Sequence, residues 1–401
     1  MQLKYDFDKI INRSSTHTRA IDEIPIPNAT VNKAFTKIPM WIADMNFETV
    51  PSIPREIIKR TEHPLYGYFN LPDEYFDAII NWQSKNNGVK LQKENIGYEN
   101  GVLGGVVAVA NISGASGSDI LIHKPTYLGF TKSLKNSGFN LVHSPLYIDS
   151  DGIWRMNYED METKIKEKNI HTAVFCNPHN PAGRAWTKEE IEKAYEIYKK
   201  YDVTVIEDCI WSDLVINDNK FTPAQSINED AKMRTVSFYA PSKTFNLAGL
   251  VGAYHIVYNK TLSDKLLKQS SLCYYNKPNV LSVSALIGGY NEEGHEWMCE
   301  LRQALSNNVN YVYDYINEHF DGVKLQLPEA TYLVYLDVSK WLQKHNMTLD
   351  ELLNLGVNYG IIWQDGRDFL NPDTIRLNLA LPHSLVKDAM DRLDKYVFNA
   401  N

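Results

Sequence analysis

Four clusters of polar residues in this 401-residue chain follow or open short patterned runs. Asn177-Pro-His-Asn180-Pro-Ala-Gly183-Arg184 follows Thr172–Cys176 (TAVFC). Asp208 follows Val203–Glu207 (VTVIE), and Ala240-Pro241-Ser242-Lys243 follows Thr235–Tyr239 (TVSFY). Glu99-Asn100-Gly101 precedes a helical pattern that begins at Val102. If the runs are strands of one open α/β sheet, all four clusters lie at the carboxyl ends, where such sheets bind ligands. Singly, each has an ordinary reading as a turn, a cap or a solvated charge. An amide, a carboxylate, an amine and a helix N-terminus on one edge exceed what turn chemistry requires.

These groups suit the chemistry of pyridoxal phosphate (PLP). That cofactor needs a lysine for its Schiff base and an acidic partner for its pyridinium nitrogen. Its phosphate needs hydrogen-bond donors, which a helix N-terminus supplies. A free lysine is neutral only about once in 2,500 molecules at pH 7, so a site using it as nucleophile and base must lower its pKa.

The elements that must position these residues are legible from periodicity. Asp119–His123 (DILIH) and Ala253–Val257 (AYHIV) join the three runs above as expected buried strands. Thr187 with Glu190 forms a T-x-x-E capping box. Ile191, Ala194, Tyr195 and Tyr198 then recur at helical spacing, which predicts a helix between two strands. Serial βαβ units imply an α/β fold with a mostly parallel central sheet flanked by helices. Beyond about residue 291 the pattern changes. A long helix is expected over 296–320, strands over 324–326, 331–337 and 374–380, and a closing helix over 385–398. This predicts a large ligand-binding domain over 49–291 and a smaller α+β domain over 292–401. The Pro-punctuated segment 1–48 is expected to join the small domain.

Composition is that of a soluble globular protein, with 44% hydrophobic and 22% charged residues. The net charge of −8 argues against nucleic acid or an anionic membrane as partner. Residues 1–13 (MQLKYDFDKIINR) lack the apolar core of a signal peptide. Cys176, Cys209, Cys273 and Cys299 form no C-x-x-C pair, so a reduced, cytoplasmic protein is expected.

Several stretches together resemble the fold-type I PLP enzymes, the aspartate aminotransferase superfamily, and within it the cystathionine β-lyase (C–S lyase) branch. They are FDKIINR at 7–13, PMWIADMNF at 39–47, YGY at 66–68, CNPHNPAGR at 176–184, APSKTFNLAGL at 240–250 and IRLNLALP at 375–382. The resemblance implies a role for each matching residue. Lys243 is the Schiff-base lysine and Asp208 the partner of the pyridinium nitrogen. Asn180 bonds the phenolic oxygen. Gly101, Val102 and Ser242 hold the phosphate, and Tyr127 stacks on the ring. Tyr68 reaches the phosphate across a homodimer interface. Arg376 clamps the substrate α-carboxylate, with Ala43 beside the substrate. Trp211 faces the cofactor where the family usually has Tyr or His. The implied reaction is β-elimination from cystathionine or a cysteine conjugate, giving pyruvate, ammonia and a thiol; the alternative is an aminotransferase.

Three positions depart from the family pattern. Trp211 cannot accept a hydrogen bond or act as an acid–base group. Cys209 replaces a common acidic residue. Val251 stands where many aminotransferase relatives carry a phosphate-gripping arginine, and its presence leans toward the lyase branch. A regulator or binding module is the third reading; it would be expected to lack the lysine or add a DNA-binding domain. Tyr239-x-x-x-Lys243 also fits a short-chain dehydrogenase pair, but no Gly-rich dinucleotide fingerprint accompanies it. His295-Glu296-Trp-Met-Cys299 lacks the second histidine of a zinc helix, and no metal site is expected.

Overall fold

The computed structural model describes residues 3–400 apart from residue 274 and the side chain of Cys273, which lie outside it. Seven strands build the main sheet: β1 (Ile96–Glu99), β2 (Asp119–Lys124), β3 (Asn140–Pro145), β4 (Thr172–Cys176), β5 (Thr204–Asp208), β6 (Thr235–Tyr239) and β7 (Ala253–Val257). Their order is β1-β7-β6-β5-β4-β2-β3. Only β7 runs against its neighbours, pairing antiparallel with both β6 and β1. The carboxyl ends of the other six therefore share one edge. All five expected strands are present. The two that were not anticipated, β1 and β3, are the edges.

The sheet is buried on both faces, which is why its central strands read as continuous apolar runs. Ile122, Val174, Ile206 and Phe238 pack on one side with Val106 and Ala110 of helix α1 (Val102–Ser113). A Cβ at Gly105 would overlap the Phe238 ring, so this glycine lets α1 seat directly on the strand that leads to Lys243. Leu121, Phe175 and Val205 pack on the other side with Ile191, Ala194 and Tyr198 of helix α2 (Lys188–Lys200). The capping box at the start of α2 forms as expected, between Thr187 and Glu190.

Helix α3 (Glu292–His319) begins one turn earlier than expected, where the Asn291 side chain accepts the Gly294 N–H. It packs with a four-stranded antiparallel sheet of β8 (Lys324–Leu325), β9 (Leu333–Asp337), β10 (Gln364–Asp365) and β11 (Thr374–Asn378), in the order β8-β9-β11-β10. Helix α4 (His383–Leu393) closes this unit and passes into a π-helical turn at Asp394–Phe398. The N-terminal segment contributes Ile38–Pro39, which pairs in parallel with Ile361–Ile362.

Candidate active site

The shared strand edge carries Asp208, with Asn180 and Lys243 in the turns that follow their strands. Asp208 is the last residue of β5, pairs in register with Cys176 at the end of β4, and is buried. Its Oδ1 accepts the Ile210 N–H at 3.0 Å, and no cation forms an ion pair with it among the described residues. Burial pushes this carboxyl up to about pH 7. Lys243 follows β6 in a tight turn. Its Nζ donates to the Ala43 carbonyl at 2.8 Å and lies 5.6 Å from the centre of the Trp211 ring. Burial, aided by the nearby Arg376 guanidinium, pulls the Lys243 amine down to about 8 against the pull of Asp44 and Asp208.

Arg376 lies on β11 and is only 4% exposed. Its Nη1 donates to Asn180 Oδ1 at 3.1 Å and its Nη2 to the Trp41 carbonyl at 2.9 Å. Its Nε is buried with no partner, and the guanidinium lies 4.5 Å from the Phe369 ring centre. No carboxylate pairs with it among the described residues. A buried charge without a counter-charge is costly, typically several kcal/mol. Such a group can receive an anion from outside.

The N-terminus of α1 can receive an anion. Gly101 holds φ +84°, a conformation that favours glycine, and no side chain caps the helix. No acidic residue lies in the first turn, so the helix's own side chains do not offset its orphan N–H groups or its dipole. Val251 sits beside this turn: its Cγ1 would be 3.7 Å from a Cβ at Gly101. Its own φ is +50°, strained for a β-branched residue. Ser242 is half-buried in the same loop as Lys243.

Tyr127 stands at the start of the helix after β2, edge-on to Phe130. Burial raises its hydroxyl pKa, with Arg376 and Asp208 close enough to act on it. Trp211 is buried edge-on against Tyr332. Cys209 is buried in the core beside Asp208, with its thiol pushed up by burial. Tyr68 is not brought to the site by its own chain. It is fully exposed on an irregular stretch with Leu65 and Tyr66, also exposed.

The resemblance placed Ala43 beside the substrate, but sequence reasoning missed what the backbone of the segment from Trp41 to Asn46 does. Its backbone carbonyls bind both Lys243 and Arg376, and backbone acceptors carry no residue-type signal. It also missed the Arg13–Asp44 ion pair (2.7 Å), which ties the first residues to that segment. Arg13 further donates to the Met45 carbonyl and Asn46 Oδ1.

The aminotransferase class I and II family model matches residues 37–393. Cystathionine beta-lyase PatB of Bacillus subtilis is 29% identical over 363 residues, covering 89% of this chain and 91% of its own. A PLP-bound structure from Clostridium difficile 630, provisionally named an aminotransferase, superposes with a TM-score of 0.90 at 31% identity and covers 97% of this chain and 99% of its own. The PLP-bound C-S lyase of Staphylococcus hominis superposes at 0.88 with 27% identity, covering 98% of each chain. With a match over most of its length and a site of this composition, the chain belongs to the aminotransferase class I and II family.

Proposed function

We propose that the chain is a PLP-dependent carbon–sulfur β-lyase that releases pyruvate, ammonia and a thiol from cystathionine- or cysteine-type substrates. The observation that carries this reading is a pair of buried ionisable groups at one site, Asp208 and Arg376, neither of which has an ion-pair partner among the described residues. One calls for a cation and the other for an anion. A cofactor with a pyridinium nitrogen and an amino acid with a carboxylate answer both.

Bound PLP supplies an electron sink for the pair left when a proton departs from the substrate Cα. Asp208 would hold the proton on the ring nitrogen. The Gly101 and Val102 N–H groups, with the Ser242 hydroxyl, would hold the phosphate. Tyr127 and Trp211 would bound the ring. The Oδ1 of Asn180 already accepts from Arg376, so its NH2 is what it offers the phenolic oxygen. Arg376 would take the α-carboxylate, starting from its unpartnered Nε–H, with Ala43 beside the substrate. Lys243 would remove the Cα proton. Burial lowers its pKa to about 8 in the cofactor-free chain, so it is neutral at pH 7 on the order of a hundredfold more often than a free lysine. The net reaction would break the Cβ–S bond and consume one water, giving a thiol, pyruvate and ammonia.

The second reading, an aminotransferase, uses the same residues and differs in where Lys243 returns the proton; the likeness to the Clostridium difficile structure favours it. The lyase reading draws on the Bacillus subtilis and Staphylococcus hominis relatives and on Val251 at the arginine position. The test is to supply cystathionine to the purified, PLP-loaded protein without any oxo acid. Pyruvate and thiol are the expected products. Turnover only after a 2-oxo acid is added would reverse the ranking.

We further assign residues 1–48 and 292–401 to one small domain and 49–291 to the large one. The pairing of Ile38–Pro39 with Ile361–Ile362 supports that division. A homodimer would bury the exposed Leu65, Tyr66 and Tyr68 and let Tyr68 reach the partner's phosphate site. The free Cys176, Cys209 and Cys299 fit a reducing, cytoplasmic setting.

A further inference from the structure

Four consecutive carbonyls, from Trp41 to Asp44, are all committed, and in alternation. Trp41 O accepts from Arg376 and Ala43 O from Lys243, at 2.9 and 2.8 Å. Between and after them, Ile42 O and Asp44 O both accept from the single side-chain nitrogen of Asn378, each at 2.7 Å. Asn378 is fully buried two residues after Arg376 on β11, so it lies on the strand that carries the carboxylate-binding group. Its Oδ1 accepts the Ala380 N–H at 2.8 Å and its backbone N–H donates to Met40 O at 2.7 Å. The Asn246 side chain also grips Met45: its Oδ1 accepts the Met45 N–H at 3.1 Å and its Nδ2 donates to Met45 O at 2.9 Å. Asn246 is three residues after Lys243 in the same loop. The segment has no helix or strand of its own. Its Asp44 N–H donates to Ile42 O and its Asn46 N–H to Ala380 O, each at 2.9 Å, and Arg13 holds Met45 O, but only the Asn378 side chain ties the carbonyls of residues 42 and 44 together.

We propose that Asn378 is a positioning residue that, by pinning the carbonyls of residues 42 and 44, aims those of 41 and 43 at Arg376 and Lys243 and so fixes the spacing between the carboxylate clamp and the base. The proposal rests on the reading of the site given above. An α-amino acid places its carboxylate carbon and its Cα one bond apart. The groups that receive them must therefore be held to within a fraction of an ångström, and a common backbone bar does this for both. Asn378 touches neither substrate nor cofactor; it acts through the bar.

The test compares Asn378→Ala with Asn308→Ala. Asn308 is equally buried, and its amide likewise donates to two backbone carbonyls, those of Leu379 and Leu381, without touching the 41–46 segment. Each variant is loaded with PLP. Its thermal midpoint, its kcat with the substrate that the wild type turns over, and its equilibrium affinity for 2-aminoisobutyrate, read from cofactor absorbance, are measured. That ligand has a carboxylate but no Cα–H, so it reports the clamp without turnover. Comparable losses of thermal midpoint are expected in both. Only Asn378→Ala should lower kcat tenfold or more and weaken 2-aminoisobutyrate at least fivefold, with Asn308→Ala within twofold of wild type on both. Equal effects of the two variants, or an Asn378→Ala protein that keeps wild-type kcat and affinity, would overturn the proposal. If Asn378→Ala does not fold, Asn378→Ser, which can still donate to one carbonyl, should show an intermediate loss; wild-type values there would overturn it equally. A wild type inert toward cystathionine would count against the lyase reading alone, since the binding measurement does not depend on it.

Discussion

Replacing Lys243 with alanine is expected to cut turnover of the PLP-loaded enzyme by at least ~10²–10⁴-fold, the span typical of removing a positioned acid–base group. The surroundings offer no substitute. Asp44 is tied to Arg13 at 2.7 Å. Trp211, over which the amine lies, has a donor but no basic site. Tyr127 is held protonated by burial. Fold stability should change little, because the amine makes one hydrogen bond, to Ala43 O, and burial already penalises its charge. The check is kcat alongside the thermal midpoint. A variant within tenfold of wild type would remove Lys243 from the reaction.

Asp208→Asn is expected to act in opposite directions on the cofactor-free and loaded proteins. In the cofactor-free protein, burial raises the carboxyl from an ordinary value of about 4 to about 7. A group whose folded pKa exceeds its unfolded one contributes stability that is full below the unfolded value. That contribution is lost as pH rises through the folded value. The loss thus falls between about pH 4 and pH 7, and at 1.36 kcal/mol per unit it is on the order of a few kcal/mol. Asparagine has no charge to bury. Cofactor-free Asp208→Asn should therefore melt above wild type at pH 8, with the gap closing toward pH 4. It should also bind PLP more weakly and turn over more slowly, because an amide cannot hold a proton on the ring nitrogen. Scanning calorimetry at the two pH values tests the first half and PLP titration the second. A cofactor-free variant less stable than wild type at pH 8 would contradict the account of this carboxyl.

The parts of the fold that could be read from sequence are those where burial on both faces imposes a pattern. Thr172–Cys176, Thr235–Tyr239 and Ala253–Val257 are continuous apolar runs because both sides of the sheet are covered, and all three strands have those bounds. The edge strands β1 (IGYE) and β3 (NLVHSP) carry a weaker signal, since an edge needs fewer apolar residues. The reversed direction of β7 leaves no trace in composition. At the site, Lys243, Asp208 and Asn180 were legible because turn chemistry cannot explain them together. The Trp41–Asn46 bar was not, because its work is done by carbonyls that every residue possesses. Tyr68 could be named from its motif, yet its own chain leaves it in solvent.

The central claim is that Lys243 bears the cofactor covalently, and borohydride tests it most directly. Reduction converts a carbon–nitrogen double bond between PLP and an amine into a stable link that survives digestion. After treatment of the loaded protein, the pyridoxyl mass is predicted on the peptide containing Ser242-Lys243-Thr244 and on no other lysine peptide. A label absent from that peptide, or carried by another lysine, would contradict the account.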